Sequence, residues 1–236
     1  MEPAAGTRIS AGATMRDAFS TLIKPPFRTL LALGILVSLV SNTLPETADG
    51  TTLLVALILL ALGLYLQIAV TVAAADPNPT QSADVWLKEA FARRCFWRYF
   101  ATSVFVLLVV LLAGVVGLIV GGFFMGGVVA LSDPSVVLER RGPADAISRS
   151  AELSKGNRPA LALIFGVLIL IPGMSVQVGG LVWDLPELAG DLWAVVPLLV
   201  LILGMTGAIA LTRTFLALGG SKVPLPPRES VDRSRL

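Results

Sequence analysis

Long apolar blocks alternate with short polar segments along the chain. A helix needs about 20 mostly apolar residues to cross the hydrocarbon core of a bilayer, and the apolar blocks of this sequence approach or exceed that length. They cover residues 27–44, 51–75, 100–138, 159–180 and 192–218. The pattern predicts an all-α integral membrane protein.

The apolar block 100–138 is too long for one crossing. As a single helix it would reach about 58 Å at 1.5 Å per residue, whereas the hydrocarbon core is about 30 Å thick. A glycine cluster marks the place where the chain can turn back, at Gly114, Gly117, Gly121 and Gly122. We therefore expect two spans here, near 99–117 and 120–138, and six transmembrane helices in all, arranged as three hairpins.

The basic residues fall on one side of this predicted topology. All 18 lysines and arginines lie in the segments 8–28, 88–98, 140–158 and 213–235, and six spans place these segments together. Cytoplasmic loops of membrane proteins carry an excess of Lys and Arg, so both termini are predicted to be cytoplasmic. The charged residues of the opposite side are all acids: Glu46, Asp49, Asp184, Glu187 and Asp191.

Composition narrows the functional classes. Charged residues make up only 14% of the chain, against about 25% in soluble domains, and a net charge of +2 argues against a nucleic-acid partner. The sequence has no histidine and a single cysteine, Cys95, so the commonest metal ligand and general base are missing. We expect no cofactor and no enzymatic activity. Residues 1–236 are predicted to form one membrane domain, with flexible tails near 1–12 and 221–236.

The polar segment 142–156 has the periodicity of an amphipathic helix. Charged side chains, Arg149 and Glu152 among them, fall on one side, while Ala, Ser and the apolar Ile147 and Leu153 fall on the other. The sequence therefore predicts a short interfacial helix with Ile147 and Leu153 buried. Basic residues around it and around the earlier polar segment are predicted to contact anionic lipid headgroups. They are Arg140, Arg141, Arg149, Arg158, Arg93 and Arg94.

A similar polar segment precedes the first and the third span. Asp17-Ala18-Phe19, Asp84-Val85-Trp86 and Asp145-Ala146-Ile147 align with one another. We interpret the chain as three units, each a cytoplasmic interfacial helix followed by a two-span hairpin. A chance match of such short sequences is the alternative. Aromatic belts mark membrane interfaces, and we expect Tyr99 and the tryptophans there: Trp86, Trp97, Trp183 and Trp193.

The segment 134–166 resembles the signature of a bacterial family of six-span membrane domains. Its matching residues are Pro134, Val137, Glu139, Gly142, Ala146, Ser150, Leu153, Gly156 and Asn157, and Ala151 departs from the family where an aromatic often stands. In some proteins this domain is fused to glycerophosphodiester phosphodiesterases, and it is related to uncharacterised inner-membrane proteins. The resemblance implies a multi-pass protein of the bacterial inner membrane. It implies no activity, because the sequence has no counterpart of the phosphodiesterase domain.

A candidate polar cluster consists of Asp76, Asp133 and Arg213. The two acids precede proline at the ends of the second and fourth spans, and Arg213 lies at a similar depth in the sixth. Ionisable residues inside a membrane usually face a partner or a cavity, so Asp133 and Arg213 are predicted to pair. The alternative is that Asp133 is a proton- or cation-coupling residue.

Two functions follow from these patterns. The first is a non-enzymatic inner-membrane module whose basic cytoplasmic face contacts anionic lipids or another membrane protein. The second is a small transporter or channel for a solute or ion, with Asp133 as the coupling residue. The sequence does not fix the oligomeric state.

Overall fold

The computed structural model describes residues 8–43, 49–76, 81–116, 120–170 and 192–223, and every regular element in these ranges is a helix. The first helices are α1 (Ala11–Leu22), α2 (Pro25–Asn42), α3 (Gly50–Ala74), α4 (Ala83–Ala92) and α5 (Phe96–Val116). They are followed by α6 (Val120–Val129), α7 (Ser132–Glu139), α8 (Pro143–Leu153), α9 (Arg158–Phe165), which continues as a π-helical turn (Gly166–Leu170), and α10 (Leu192–Ala217).

Several of these helices can cross a membrane. Within the described ranges, four are long and apolar enough: Gly50–Ala74, Phe96–Gly114, Val120–Glu139 and Val196–Ala217. A fifth is reached if α1 and α2, which meet at a bend of 83°, count as one span. These helices indicate a membrane protein. The predicted fifth span, 159–180, is described only up to residue 170, and the predicted outer loop 181–191 and most of the tail 221–236 lie outside the described residues.

The helix α6–α7 is the most enclosed of the candidate spans. In its most apolar 18-residue window, 61% is buried inside the protein, compared with 22% in the same window of α3 and 17% in that of α5. The outer surfaces of α2, α3 and α5 instead expose large apolar side chains: Leu36, Leu39, Leu53, Leu57, Leu107 and Leu112. Such continuous apolar surface is unfavourable in water and suits contact with lipid. The bilayer would therefore meet α2, α3 and α5, while α6–α7 lies inside the protein.

Glycines allow α6 to approach its neighbours closely. A Cβ atom at Gly121 would collide with the carbonyl oxygen of Ala113 on α5, and one at Gly127 would collide with that of Arg158 on α9. Small residues at helix contacts are typical of membrane proteins because the backbones can then pack directly. Gly121 and Gly127 therefore act as packing residues.

The three short helices pack in a cyclic pattern. α4 lies against α3 and α2, α8 lies against α7 and α5, and α1 lies against α10 and α9. The three predicted units correspond to α1–α3, α4–α7 and α8–α10. Each short helix thus contacts the longer helices of the unit before it, and α1 of the first unit contacts those of the last unit. α3, α7 and α10 also contact one another. A threefold repeat of one short helix and one helical pair would produce these contacts.

The second copy is shifted by one residue relative to the predicted alignment. Ala18, Trp86 and Ala146 are completely buried, whereas Val85 is 40% exposed. In each short helix another buried residue stands four positions later, at Leu22, Ala90 and Ser150. Trp86, and not Val85, therefore takes the place of Ala18 and Ala146, because the register of a helix is fixed by the face that packs.

Candidate functional site

Most of the described basic residues meet at one end of the helix bundle, which we call the basic end. It comprises residues 8–28, 76, 81–98, 131–158 and 213–223. Long-range hydrogen bonds join these segments, such as Ile9 N to Asn157 Oδ1 at 2.9 Å, and Val223 N to Leu138 O at 3.0 Å. At the opposite end of α3, Asp49 caps the helix by accepting a 2.7 Å hydrogen bond from Thr52 N. Hydrogen bonds from Thr52 lower the pKa of this carboxyl group.

Arg93 is a buried cation at the centre of the basic end. Its side chain is 0% exposed, and its Nη2 lies 2.7 Å from Glu89 Oε1. Its Nη1 donates to the carbonyl oxygens of Val137 at 3.0 Å and Leu138 at 3.4 Å. These carbonyls end α7 and lack helical partners, and a cation there is favoured by the helix dipole. The prediction of a lipid contact for Arg93 is wrong, because protein atoms surround the guanidinium.

The segment after α10 is tied to the same place. Lys222 Nζ lies 3.2 Å from Glu89 Oε1, and Ser221 N donates to Glu139 Oε1 at 3.2 Å. Arg149 Nη2 donates to the carbonyl oxygen of Gly219 at 3.3 Å. Residues 219–223 therefore dock over α4, α7 and α8, a contact that the sequence did not predict.

The other arginines predicted to contact lipid divide into two groups. Arg141 pairs with Glu139, and Arg149 lies 3.6 Å from both Glu139 and Glu152, so acids of the protein already neutralise these two. Arg94 is exposed and Arg140 and Arg158 are half-exposed, and none of the three forms an ion pair with a described acid. Contacts with lipid headgroups remain a prediction for this second group.

The predicted pair of Asp133 and Arg213 is not formed. Arg213 instead pairs with Asp17 of α1, because α1 packs directly on α10. Asp76 accepts a 3.1 Å hydrogen bond from Trp86 Nε1. Asp133 lies beside Tyr99, and its Oδ1 atom is buried without a hydrogen-bond partner among the described residues. The three residues thus have separate partners, and no ion pair links Arg213 to either Asp76 or Asp133.

Ser150 connects α8 to the break between α6 and α7. Its Oγ accepts a hydrogen bond from Leu131 N at 3.0 Å and donates to Val128 O at 2.6 Å. The helix is interrupted between Val129 and Ser132, so backbone groups at the break need partners outside the helix. The hydroxyl of Ser150 supplies them from a neighbouring helix.

The buried face of α8 consists of small residues. Ala146, Ser150 and Ser154 are completely buried, while Ile147 and Leu153 are only half-buried. The helix itself and the exposure of Glu152 are as predicted, but the burial of Ile147 and Leu153 is not. The small side chains face the bundle because they let the helix backbones approach closely.

The remaining signature residues also have defined local roles. Glu139 accepts hydrogen bonds from Arg141 and from Ser221 N, and Gly142 precedes α8 in an extended conformation. Gly156 adopts a left-handed φ of 83°, where an L side chain is strained. The signature thus describes how α7, α8 and the two terminal segments are held together.

Replacing Ser150 with alanine should lower the free energy of unfolding by about 1–3 kcal/mol, because Leu131 N and Val128 O would lose their partner in a buried setting. Ser154→Ala is the matched control, since Ser154 Oγ is also buried but donates only to its own helix, at Ala151 O. Thermal unfolding in detergent would compare the two. Equal losses would contradict the role assigned to Ser150.

The aromatic residues follow the predicted belt only in part. Trp97 lies in the first turn of α5 and is 75% exposed, as expected for an interface. Trp86 is fully buried, with its ring centroid 5.3 Å from that of Phe27, and Tyr99 is buried as well. The belt prediction is wrong for these two. Trp183 and the side chain of Trp193 lie outside the described residues.

A cleft of about 450 Å³ opens between α2, α3 and α10. Gly34, Gly63 and Gly204 line it from these three helices, and Gln67 contributes a polar amide to an otherwise largely apolar wall. The proline inside α10, Pro197, also lines it.

No protein-family model, curated protein or solved structure matches this chain. The contacts of the basic end therefore carry the functional inference.

Proposed function

We propose that this chain is a non-enzymatic, multi-pass protein of a bacterial inner membrane whose basic end faces the cytoplasm and contacts anionic lipid headgroups. The observation that carries this proposal is the excess of unpaired cations at the basic end. Six spans arranged as three hairpins, with both termini in the cytoplasm, complete the proposed topology. The alternative ligand of the basic end is an acidic surface of another membrane protein.

Two glutamates of the basic end are each engaged by two cations. Glu89 holds Arg93 and Lys222, and Glu139 holds Arg141 and Arg149. Other basic residues have no acidic partner in the described part of the chain: Arg16, Lys24, Arg94, Arg98, Arg140, Lys155 and Arg158. Each Lys or Arg near an anionic leaflet contributes about 1 kcal/mol of attraction. Together, such residues would bind the basic end to the headgroup layer.

The placement of the bases supports the orientation. The segments of the basic end are joined to one another by hydrogen bonds and ion pairs, while Asp49 lies at the other end of α3. The positive-inside rule assigns the basic end to the cytoplasm. The resemblance of residues 134–166 to bacterial six-span membrane domains supports the same location.

The test is the thermal stability of the purified protein in nanodiscs of phosphatidylcholine with and without phosphatidylglycerol. The unfolding midpoint should be higher with the anionic lipid, because the folded basic end binds it. The difference should disappear near 1 M salt, where the Debye length is about 3 Å. Equal midpoints in the two membranes at low salt would refute the proposal.

A second candidate function is transport of a small solute or ion. It is favoured by the unpartnered Oδ1 of Asp133 inside a candidate span and by the cleft that Gln67 lines. Ionisable residues at membrane depth often mark ion pathways. Proton-linked flux into liposomes that is lost in Asp133→Asn, with stability unchanged, would establish transport in place of the structural role.

A further inference from the structure

We infer that Arg94, Arg98 and Arg140 form a discrete site for the phosphate group of an anionic phospholipid, at the point where α5 enters the membrane. This inference rests on the proposed function and assigns its ligand to particular residues.

Cys95 lies near Arg98 and Arg140 and follows Arg94 directly in the chain. The thiol is buried between α4 and α5, and burial raises its pKa although the nearby guanidinium groups of Arg93, Arg140 and Arg98 act in the opposite direction. Arg98 Nη1 donates a 2.9 Å hydrogen bond to the carbonyl oxygen of Arg140, which joins the start of α5 to the end of α7. Arg94 is the neighbour of Cys95 in the chain. The side chains of Arg94, Arg98 and Arg140 therefore start from one small region of the surface.

These arginines form no ion pair with an acid in the described part of the protein. Glu89 and Glu139, which also belong to the basic end, are each shared by two other cations. The contrast with Arg93 is direct, because that guanidinium is buried and fully engaged. Arg94 and Arg98 are exposed, and Arg140 is half-exposed. Three such guanidinium groups can give a phosphate paired, charge-assisted hydrogen bonds.

Two of the arginines stand where the backbone favours glycine. Arg94 has a φ of 49° and Arg140 a φ of 58°. A helix that ends in a left-handed residue usually has glycine there, since other side chains are strained in that conformation. The local backbone thus does not favour arginine at these two positions. A role of the guanidinium groups would explain why arginine stands there.

The neighbouring side chains place the site at headgroup level. Trp97, 75% exposed, packs edge-on against Phe100 with ring centroids 6.2 Å apart. Exposed tryptophan is typical of the membrane–water interface. About two to three turns beyond Trp97 along α5, Phe105 and Leu108 are more than half exposed, as expected of side chains in contact with acyl chains. A lipid whose phosphate meets the arginines could therefore lay its chains along α5.

The experiment uses the full chain with Arg94→Gly and Arg140→Gly combined, and native mass spectrometry to count bound phosphatidylglycerol. We expect about tenfold or greater weakening of phosphatidylglycerol binding, since two arginines at an anionic headgroup are removed. The unfolding midpoint in detergent without lipid should not fall, because glycine relieves both left-handed residues. The matched control is Lys88→Ala with Arg141→Ala, which removes the same charge from two residues that are already ion-paired and should leave lipid binding within about twofold of the original.

The possible results separate this inference from the proposed function. If the unaltered protein does not prefer phosphatidylglycerol to phosphatidylcholine, both are overturned. If it does prefer it, but the double glycine variant binds like the control, the site alone is overturned. Displacement of the lipid by inorganic phosphate or glycerol 3-phosphate at equal concentration would overturn the lipid as ligand and assign the arginines to a soluble phosphate.

Discussion

Replacing Trp86 with alanine is expected to lower the free energy of unfolding by about 3–5 kcal/mol, the usual cost of deleting a large buried aromatic side chain. Trp86 is completely buried, lies against Phe27 and donates a hydrogen bond to Asp76. These contacts join α4 to α2 and to the end of α3. Thermal or denaturant-induced unfolding in detergent would measure the loss.

The control is Trp97→Ala, which removes the same side chain from a position that is 75% exposed. In detergent this change should cost less than about 0.5 kcal/mol, as exposed substitutions usually do. Trp86→Phe should fall between the two, because an aromatic ring remains while the indole N–H is lost. Similar effects of Trp86→Ala and Trp97→Ala would show that α4 does not pack as described.

Glu89→Ala should be the second most damaging change, with a loss of about 3 kcal/mol. Removing one partner of a buried ion pair leaves the other charge uncompensated, which typically costs about 3–5 kcal/mol. The lower end of this range applies because the Glu89 side chain is 21% exposed to solvent, whereas the Arg93 side chain is fully buried. Lys222 would also lose its only described acidic partner, so the docked segment 219–223 should loosen.

Asp84→Ala provides the comparison on the same helix. Asp84 pairs with Lys88 at 3.1 Å, but both side chains are more than half exposed, and such pairs contribute about 0.5 kcal/mol or less. Replacing Arg93 with Met together with Glu89→Leu should recover part of the stability lost in Glu89→Ala, because no unpaired charge remains buried. A Glu89→Ala variant as stable as Asp84→Ala would contradict the buried position of Arg93.

The helices themselves could be predicted from the sequence because their signals are local. The segment 142–156 showed helical periodicity with Pro143 at its start, and the helix found is Pro143–Leu153. The expected spans 51–75 and 99–117 correspond closely to Gly50–Ala74 and Phe96–Val116. Apolar length and helix-terminating residues act within a few turns of the chain, so they can be recognised without knowledge of the packing.

The partners of the polar residues could not be predicted in this way. Arg213 pairs with Asp17, which is 196 residues away in the chain, and not with Asp133. Arg93 lies among the carbonyls of α7 although its sequence context resembles that of the exposed Arg94. Which charged side chain is buried depends on which helices pack together, and here the cyclic packing of the short helices determines those contacts. In α4, a shift of one residue placed Trp86 on the buried face in place of Val85.

The central claim is that the basic end faces the cytoplasm. It is tested most directly by determining on which side of the membrane the start of α3 and helix α8 lie. Single cysteines would replace Gly50, where an added Cβ meets no atom within 4 Å, and Ser148, which is exposed on α8. Cys95→Ser provides a background without other cysteines. A membrane-impermeant thiol reagent applied to intact bacteria, with the outer membrane made permeable, should label residue 50 at once and residue 148 only after the inner membrane is opened. Labelling of residue 148 in intact cells, with residue 50 protected, would contradict a cytoplasmic basic end.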